Sequence, residues 1–241
     1  MCEAHDHTHD WDGSGPRTIR LEENVLAKND ALAAATRAQL AARGALMVNI
    51  LSSPGSGKTT LLEKSLPPLL RELAVAVIEG DVQTRYDAER LKRVNVPVIQ
   101  INTGGACHLD AASFARALEL EPFASAALII VENVGNLVCP AAFDLGEDAK
   151  IVLLSVTEGD DKPEKYPAAF ARAGVVVISK MDLLPHVPFD LARCQEGIWQ
   201  VNPGVPILTL SSLTGEGLPA WIAHLKHLHA HKRGAPHGHA A

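Results

Sequence analysis

Short apolar runs recur along the chain: ALMVNIL (45–51), AVAVIE (74–79), VPVIQI (96–101), AALIIVE (126–132), KIVLLSV (150–156), VVVIS (175–179) and VPILTL (205–210). They are rich in β-branched residues and do not alternate with polar ones, as expected of strands covered on both faces. Helix-patterned segments separate them, which predicts an α/β fold: a doubly wound, mostly parallel sheet of about seven strands. Upstream, NVLAKNDALAAATRAQLAAR, from Asn24 to Arg43, is Ala- and Leu-rich and predicts an N-terminal helix closed by Gly44. A last helix is predicted from Leu218 to about His229. Residues 1–22 are rich in His, Asp, Gly and Ser and have too little apolar surface to offset chain entropy, so they are expected to be disordered. Residues 230–241 read as a His-containing flexible tail, leaving one folded domain over 23–229 and no internal repeat.

Composition narrows the function more than the fold. The chain has 241 residues, 47% hydrophobic and 21% charged, which suits one well-filled domain. A formal charge of −6 and a pI near 6.0 give no electrostatic reason to expect nucleic acid. Aromatics at 4% argue against a base-stacking surface. The start, MCEAHDHTHD, lacks the apolar run of a secretion signal. No segment approaches the roughly 20 apolar residues that span a bilayer. A cytoplasmic protein without membrane contact is the expectation. Cys2, Cys107, Cys139 and Cys194 form no CxxC pair, and a reducing compartment disfavours disulfides. Cys194 reads as a small buried hydrophobe.

The chemistry begins at SSPGSGKTT, residues 52–60, between the first strand and a helix-patterned KTTLLEKSL. Strand, Gly-rich loop and helix form the context in which a phosphate loop works. Gly55, Ser56 and Gly57 would let backbone N–H groups wrap phosphates at the positive end of the helix. Lys58 would reach the β- and γ-phosphates, and Thr59, followed by Thr60, would supply a hydroxyl to Mg²⁺. The general motif opens on Gly, where this chain has Ser52. An ordinary Gly-rich turn is the bland alternative.

Three later strand ends carry residues that, taken in order after the phosphate loop, favour GTP and a sheet of P-loop GTPase type. SKMD, 179–182, places Asp182 to accept from the guanine N1–H and exocyclic amine, a donor pair that adenine lacks. Lys180 would lie along the base. The usual motif opens on Asn or Thr, and here it opens on Ser179. SSLTGEG, 211–217, would close the base pocket through Ser212 and Leu213. IIVENVGN, 129–136, carries Glu132-x-x-Gly135 where GTPases usually have Asp-x-x-Gly. The Gly135 amide would sense the γ-phosphate, and Glu132 would act on Mg²⁺ or its waters. Asp81 ends the second strand. It is a candidate for a metal-bound water, for positioning the attacking water, or for a plain helix N-cap.

Metal-type residues lie beside this machinery. Cys107 and His108 follow the third strand, and Cys139 lies four residues past Gly135. In a doubly wound sheet the loops after strands gather at one edge, and two thiolates with an imidazole suit Ni²⁺ or Zn²⁺. Adjacent Cys-His is not a standard metal knuckle, so buried structural cysteines remain open on spacing alone. His5, His7 and His9 sit near one end, and His224, His227, His229, His231, His237 and His239 near the other, which is nine of eleven histidines. They are either weak divalent-metal collectors, with Cys2 as a further candidate, or solvated tails.

Together NILSSPGSGKTTLLEK, IEGDVQTRYDAERL, NTGGACHLDA, VENVGNLVCPA, VTEGDDKPEKYP and SKMDLLPHVPFD resemble the HypB family of hydrogenase nickel-incorporation GTPases, of the SIMIBI/G3E class. The resemblance runs from about Asn24 to Leu225. It implies a slow GTPase that dimerises around bound nucleotide and helps deliver Ni²⁺ to the large subunit of [NiFe]-hydrogenase, working with the nickel chaperone HypA. It also implies a metal site at the dimer interface made by Cys107, His108 and Cys139. Some members carry an N-terminal multi-cysteine nickel motif, of which this chain has only Cys2. The competing readings are a sister GTPase for urease or cobalamin-enzyme assembly, a nickel-storage protein working through its His-rich ends, and a P-loop kinase.

Overall fold

In the computed structural model, residues 15–81, 86–102, 109 and 111–234 are described. Seven strands alternate with helices: α1 (Gly15–Ala42), β1 (Leu46–Ser52), α2 (Lys58–Leu70), β2 (Val75–Asp81), α3 (Tyr86–Lys92), β3 (Val98–Asn102), α4 (Ala111–Leu118) and β4 (Leu128–Gly135). The second half adds α5 (Cys139–Ala142), β5 (Ala149–Ser155), α6 (Lys162–Lys165), α7 (Pro167–Ala171), β6 (Ala173–Ser179), α8 (Leu191–Val201), β7 (Ile207–Thr209) and α9 (Leu218–Gly234). The strands form one sheet in the order β3-β2-β4-β1-β5-β6-β7, and every pairing is parallel. The doubly wound sheet read from the apolar runs is the fold observed.

Alternate residues of each strand feed different cores, which is why the runs are apolar throughout. Leu46, Val48 and Ile50 of β1 pack with Leu62 and Leu66 of α2 and with Trp221 and Leu225 of α9. The intervening Met47 joins Leu40 of α1 and Phe114 of α4, and Leu51 joins Phe170 of α7 and Ile198 of α8. Each such side chain removed from water contributes about 1.5–3 kcal/mol. Cys194 is fully buried in the α7–α8 layer, and burial pushes its thiol up to about 12, as befits a packing residue.

Two helices extend past their expected limits. α1 starts at Gly15, upstream of Asn24, with Pro16 in the first turn, where its missing N–H costs nothing. α9 continues to Gly234 because Ala230 to Arg233 contain no helix breaker. α1 is docked by a close approach at Gly146, whose φ is +89°; a Cβ there would meet Thr36 at 2.9 Å and the Ala33 carbonyl at 2.5 Å. Asn29 fastens the same contact, donating to the Asp144 carbonyl at 2.8 Å and accepting from the Ala111 N–H at 3.1 Å. No described helix is long and apolar enough to cross a membrane.

Candidate functional site

All seven strands point their carboxyl ends to one edge, and the loops there carry the motif residues. Ser52 ends β1 and Lys58 begins α2, so residues 53–57 form the phosphate loop. Gly55 and Gly57 have φ of +75° and +98°, left-handed values that favour glycine and let successive N–H groups turn inward. The loop is braced internally by Ser56 Oγ donating to the Ser53 carbonyl at 2.5 Å. Lys58 Nζ donates to Ser52 Oγ at 2.7 Å. The serine that replaces the motif's first glycine therefore serves as the lysine's partner. Burial lowers the Lys58 pKa, opposed by the nearby Glu132, Asp87 and Glu158 carboxylates.

Thr59 and Glu132 meet beneath the loop, with Thr59 Oγ1 donating to Glu132 Oε1 at 2.6 Å. Glu132 is only 3% exposed, and its Oε2 has no hydrogen-bond partner among the described residues. Burial pushes its carboxyl up to about 7, against the opposing pull of Thr59 and Lys58. Gly135, at the end of the same strand, lies flat on the loop: a Cβ there would come within 3.0 Å of Pro54 Cγ and 3.1 Å of its Cα. These residues line a cavity of about 470 Å³ together with Gly55, Thr60, Glu79 and Asp87.

Sequence reading did not single out Arg90 of α3, which also lines this cavity, donating to Thr60 Oγ1 at 3.1 Å and pairing with Glu63 at 2.7 Å. Asp81 closes β2 on the carboxyl edge, but its side chain lies outside the described residues.

The residues expected to read the base assemble next to the loop. Ser179 Oγ donates to the Ser56 carbonyl at 2.8 Å, joining the end of β6 to the phosphate loop. Lys180, with φ +59°, reaches across to donate to the Gly55 carbonyl at 2.7 Å. Asp182 accepts at Oδ1 from Ser211 Oγ at 2.5 Å, and that oxygen in turn accepts from the N–H groups of Leu213 and Thr214 at 3.2 and 3.1 Å. Ser211, which sequence reading did not single out, is therefore the residue that orients Asp182. Ser212 and Leu213 follow on the turn, with Leu213 81% exposed.

Cys139 is the first residue of α5, half-buried, four residues beyond Gly135. Cys107, His108, Cys2, His5, His7 and His9 lie outside the described residues. Among the described residues no group of three His, Cys, Asp or Glu side chains is gathered to hold a metal ion. His224, His227 and His231 all lie on α9.

Comparison with known proteins places these motifs in a family. A model of the CobW/HypB/UreG nucleotide-binding domain matches residues 46–209. The hydrogenase maturation factor HypB of Azotobacter chroococcum mcd 1 is 49% identical over 210 residues, covering 87% of this chain and 69% of that protein. Among solved structures, HypB from Archaeoglobus fulgidus is 38% identical with a TM-score of 0.80, covering 85% of this chain and all of that one. HypB from Helicobacter pylori in complex with nickel is 39% identical with a TM-score of 0.80, covering 88% and 99%.

Proposed function

Since this chain belongs to the HypB family of hydrogenase maturation GTPases, we propose that it is a GTP-driven nickel metallochaperone whose nucleotide state sets its hold on the metal. The observation that carries the reading is the seating of one short segment. Gly135 rests on Pro54 of the phosphate loop, and Cys139 begins α5 four residues later.

Lys58 and the loop amides would hold the β- and γ-phosphates of GTP, with Asp182, set by Ser211, reading guanine. Thr59 and Glu132, with Asp81, would hold Mg²⁺. The Thr59 hydroxyl and the buried Glu132 oxygens form an oxygen-only donor set that suits it. When bound, Mg²⁺ supplies charge neutralisation at the β- and γ-oxygens. The Gly135 amide would be drawn toward the γ-phosphate, and Asn136 to Cys139 would follow. Cys139 would then join Cys107 and His108 around Ni²⁺, or Zn²⁺, at a homodimer interface. Hydrolysis would free Gly135, slacken the ligand set and release the metal. The partners are the nickel chaperone HypA and the large subunit of the hydrogenase, met in the cytoplasm.

The test is Ni²⁺ affinity measured with GDP and with a non-hydrolysable GTP analogue. Coupling of this kind amounts to about 5- to 150-fold. Equal affinities in the two states would sink the proposal.

A further inference from the structure

Polar side chains inside a sheet core are costly unless they are joined, and a fully joined set fixes a single arrangement. Such a set runs through this core. Asn133, next to Glu132 on β4, donates through Nδ2 to Asn49 Oδ1 at 3.1 Å. Asn49 on β1 donates through its own Nδ2 to Glu147 Oε1 at 3.3 Å. Lys150 Nζ on β5 lies 3.3 Å from the same Glu147 oxygen. It donates to the carbonyls of Pro140 and Ala141 at 3.3 Å and of Phe143 at 2.7 Å. Asn49 is fully buried, and Asn133 and Glu147 are 2% and 6% exposed. The remaining oxygens are satisfied as well: Asn133 Oδ1 accepts from the Val134 N–H at 2.9 Å, and Glu147 Oε2 from the Leu145 N–H at 2.7 Å. Arg172 adds a second cation at the far end, donating to the Ala141 carbonyl at 2.5 Å.

The two ends of this chain of contacts have a functional identity. One is the strand that carries Glu132 and Gly135. The other is the backbone of α5 and the residue after it, and α5 begins with Cys139. We infer that Asn49, Glu147 and Lys150 are positioning residues for Cys139, fixing its turn to the nucleotide-reading strand so that the thiolate faces a soft divalent ion. The inference rests on the metal reading proposed above. Groups that orient a ligand from behind typically govern metal affinity about 10- to 100-fold.

The experiment uses the full chain loaded with Ni²⁺ alone. It records affinity, the nickel–thiolate absorption band and the affinity of a fluorescent GDP. Lys150→Met, which keeps the stem and removes the ammonium, and Asn49→Leu, which breaks the chain at its centre, are each expected to weaken Ni²⁺ binding about 10- to 100-fold and to alter the band. GDP affinity is expected to stay within about twofold of wild type, because neither residue lines the phosphate cavity. Lys150→Arg should recover most of the loss. Folded variants with wild-type nickel affinity and band overturn the inference, as does failure of Lys150→Arg to recover a loss in Lys150→Met. Asn49→Leu decides the matter if Lys150→Met does not fold. Cys139→Ser is the reference. If it retains full affinity and band, the metal reading falls and takes this inference with it; if it loses both while the positioning variants do not, only this inference falls.

Discussion

Glu132 is a carboxyl group held where ionisation is unfavourable. Its ordinary value of 4.5 is raised to about 7, chiefly by burial. The folded state therefore binds a proton that the unfolded chain releases between those values. The stability that this group contributes is fully present below about pH 4.5 and is lost as pH climbs through 7, by up to about 3 kcal/mol. Glu132→Gln stays neutral, so urea titrations without nucleotide should show the variant gaining on wild type between pH 5 and pH 8. A gap that does not widen refutes the buried-acid account. At the base site, Asp182→Asn removes the acceptor pair that guanine needs and should lower GDP affinity about 100-fold or more. An unchanged affinity for fluorescent GDP would rule out Asp182 as the base reader. That Lys58, Thr59, Glu132 and Gly135 would gather around one cavity was legible in sequence, because each belongs to a compact local pattern at a strand end. Ser211 was not read, because nothing local marks its contact with Asp182, made across 29 residues of chain.

Among the elements, strands were read most accurately, since burial on both faces makes each a continuous apolar run whatever its neighbours. The four-residue α5 had no periodicity to reveal it, and Lys150, which donates to its carbonyls, is joined to β1 through Glu147 and Asn49, which lie 98 residues apart in the chain. The contact of Gly135 with Pro54 of the phosphate loop is also long-range, and only the glycine itself, in a known spacing, was legible. Adding a methyl group at Gly135 would press on Pro54 Cγ, Cα and N at 3.0, 3.1 and 3.2 Å, two of them backbone atoms that cannot rotate away. Strand end and loop must then separate by a few tenths of an ångström. Gly135→Ala should slow single-turnover GTP hydrolysis by about tenfold or more, since about 1.4 kcal/mol of lost alignment suffices. A wild-type rate would mean that the γ-phosphate is sensed elsewhere.

At the scale of the whole molecule, the parallel sheet brings two exposed apolar side chains to the same edge as the nucleotide cavity. Val138, directly before Cys139, is 61% exposed, and Leu213, in the turn that holds Asp182, is 81% exposed. Each follows a strand end, β4 and β7, and so belongs to the carboxyl edge. Isolated apolar side chains on a surface are ordinary, but these two adjoin the residues proposed to bind metal and base. A homodimer formed over that edge would cover them while bringing two Cys139 turns together. Placing a carboxylate at position 138 would oppose that burial without touching the phosphate cavity, which Val138 does not line. Val138→Asp should therefore weaken self-association by about tenfold or more when GTP analogue and Ni²⁺ are both present, as read by sedimentation velocity. GDP affinity of the monomer should not change. Dimerisation at wild-type strength would exclude the α5 side of the carboxyl edge as the interface, and the shared metal site proposed there would have to be formed within one chain.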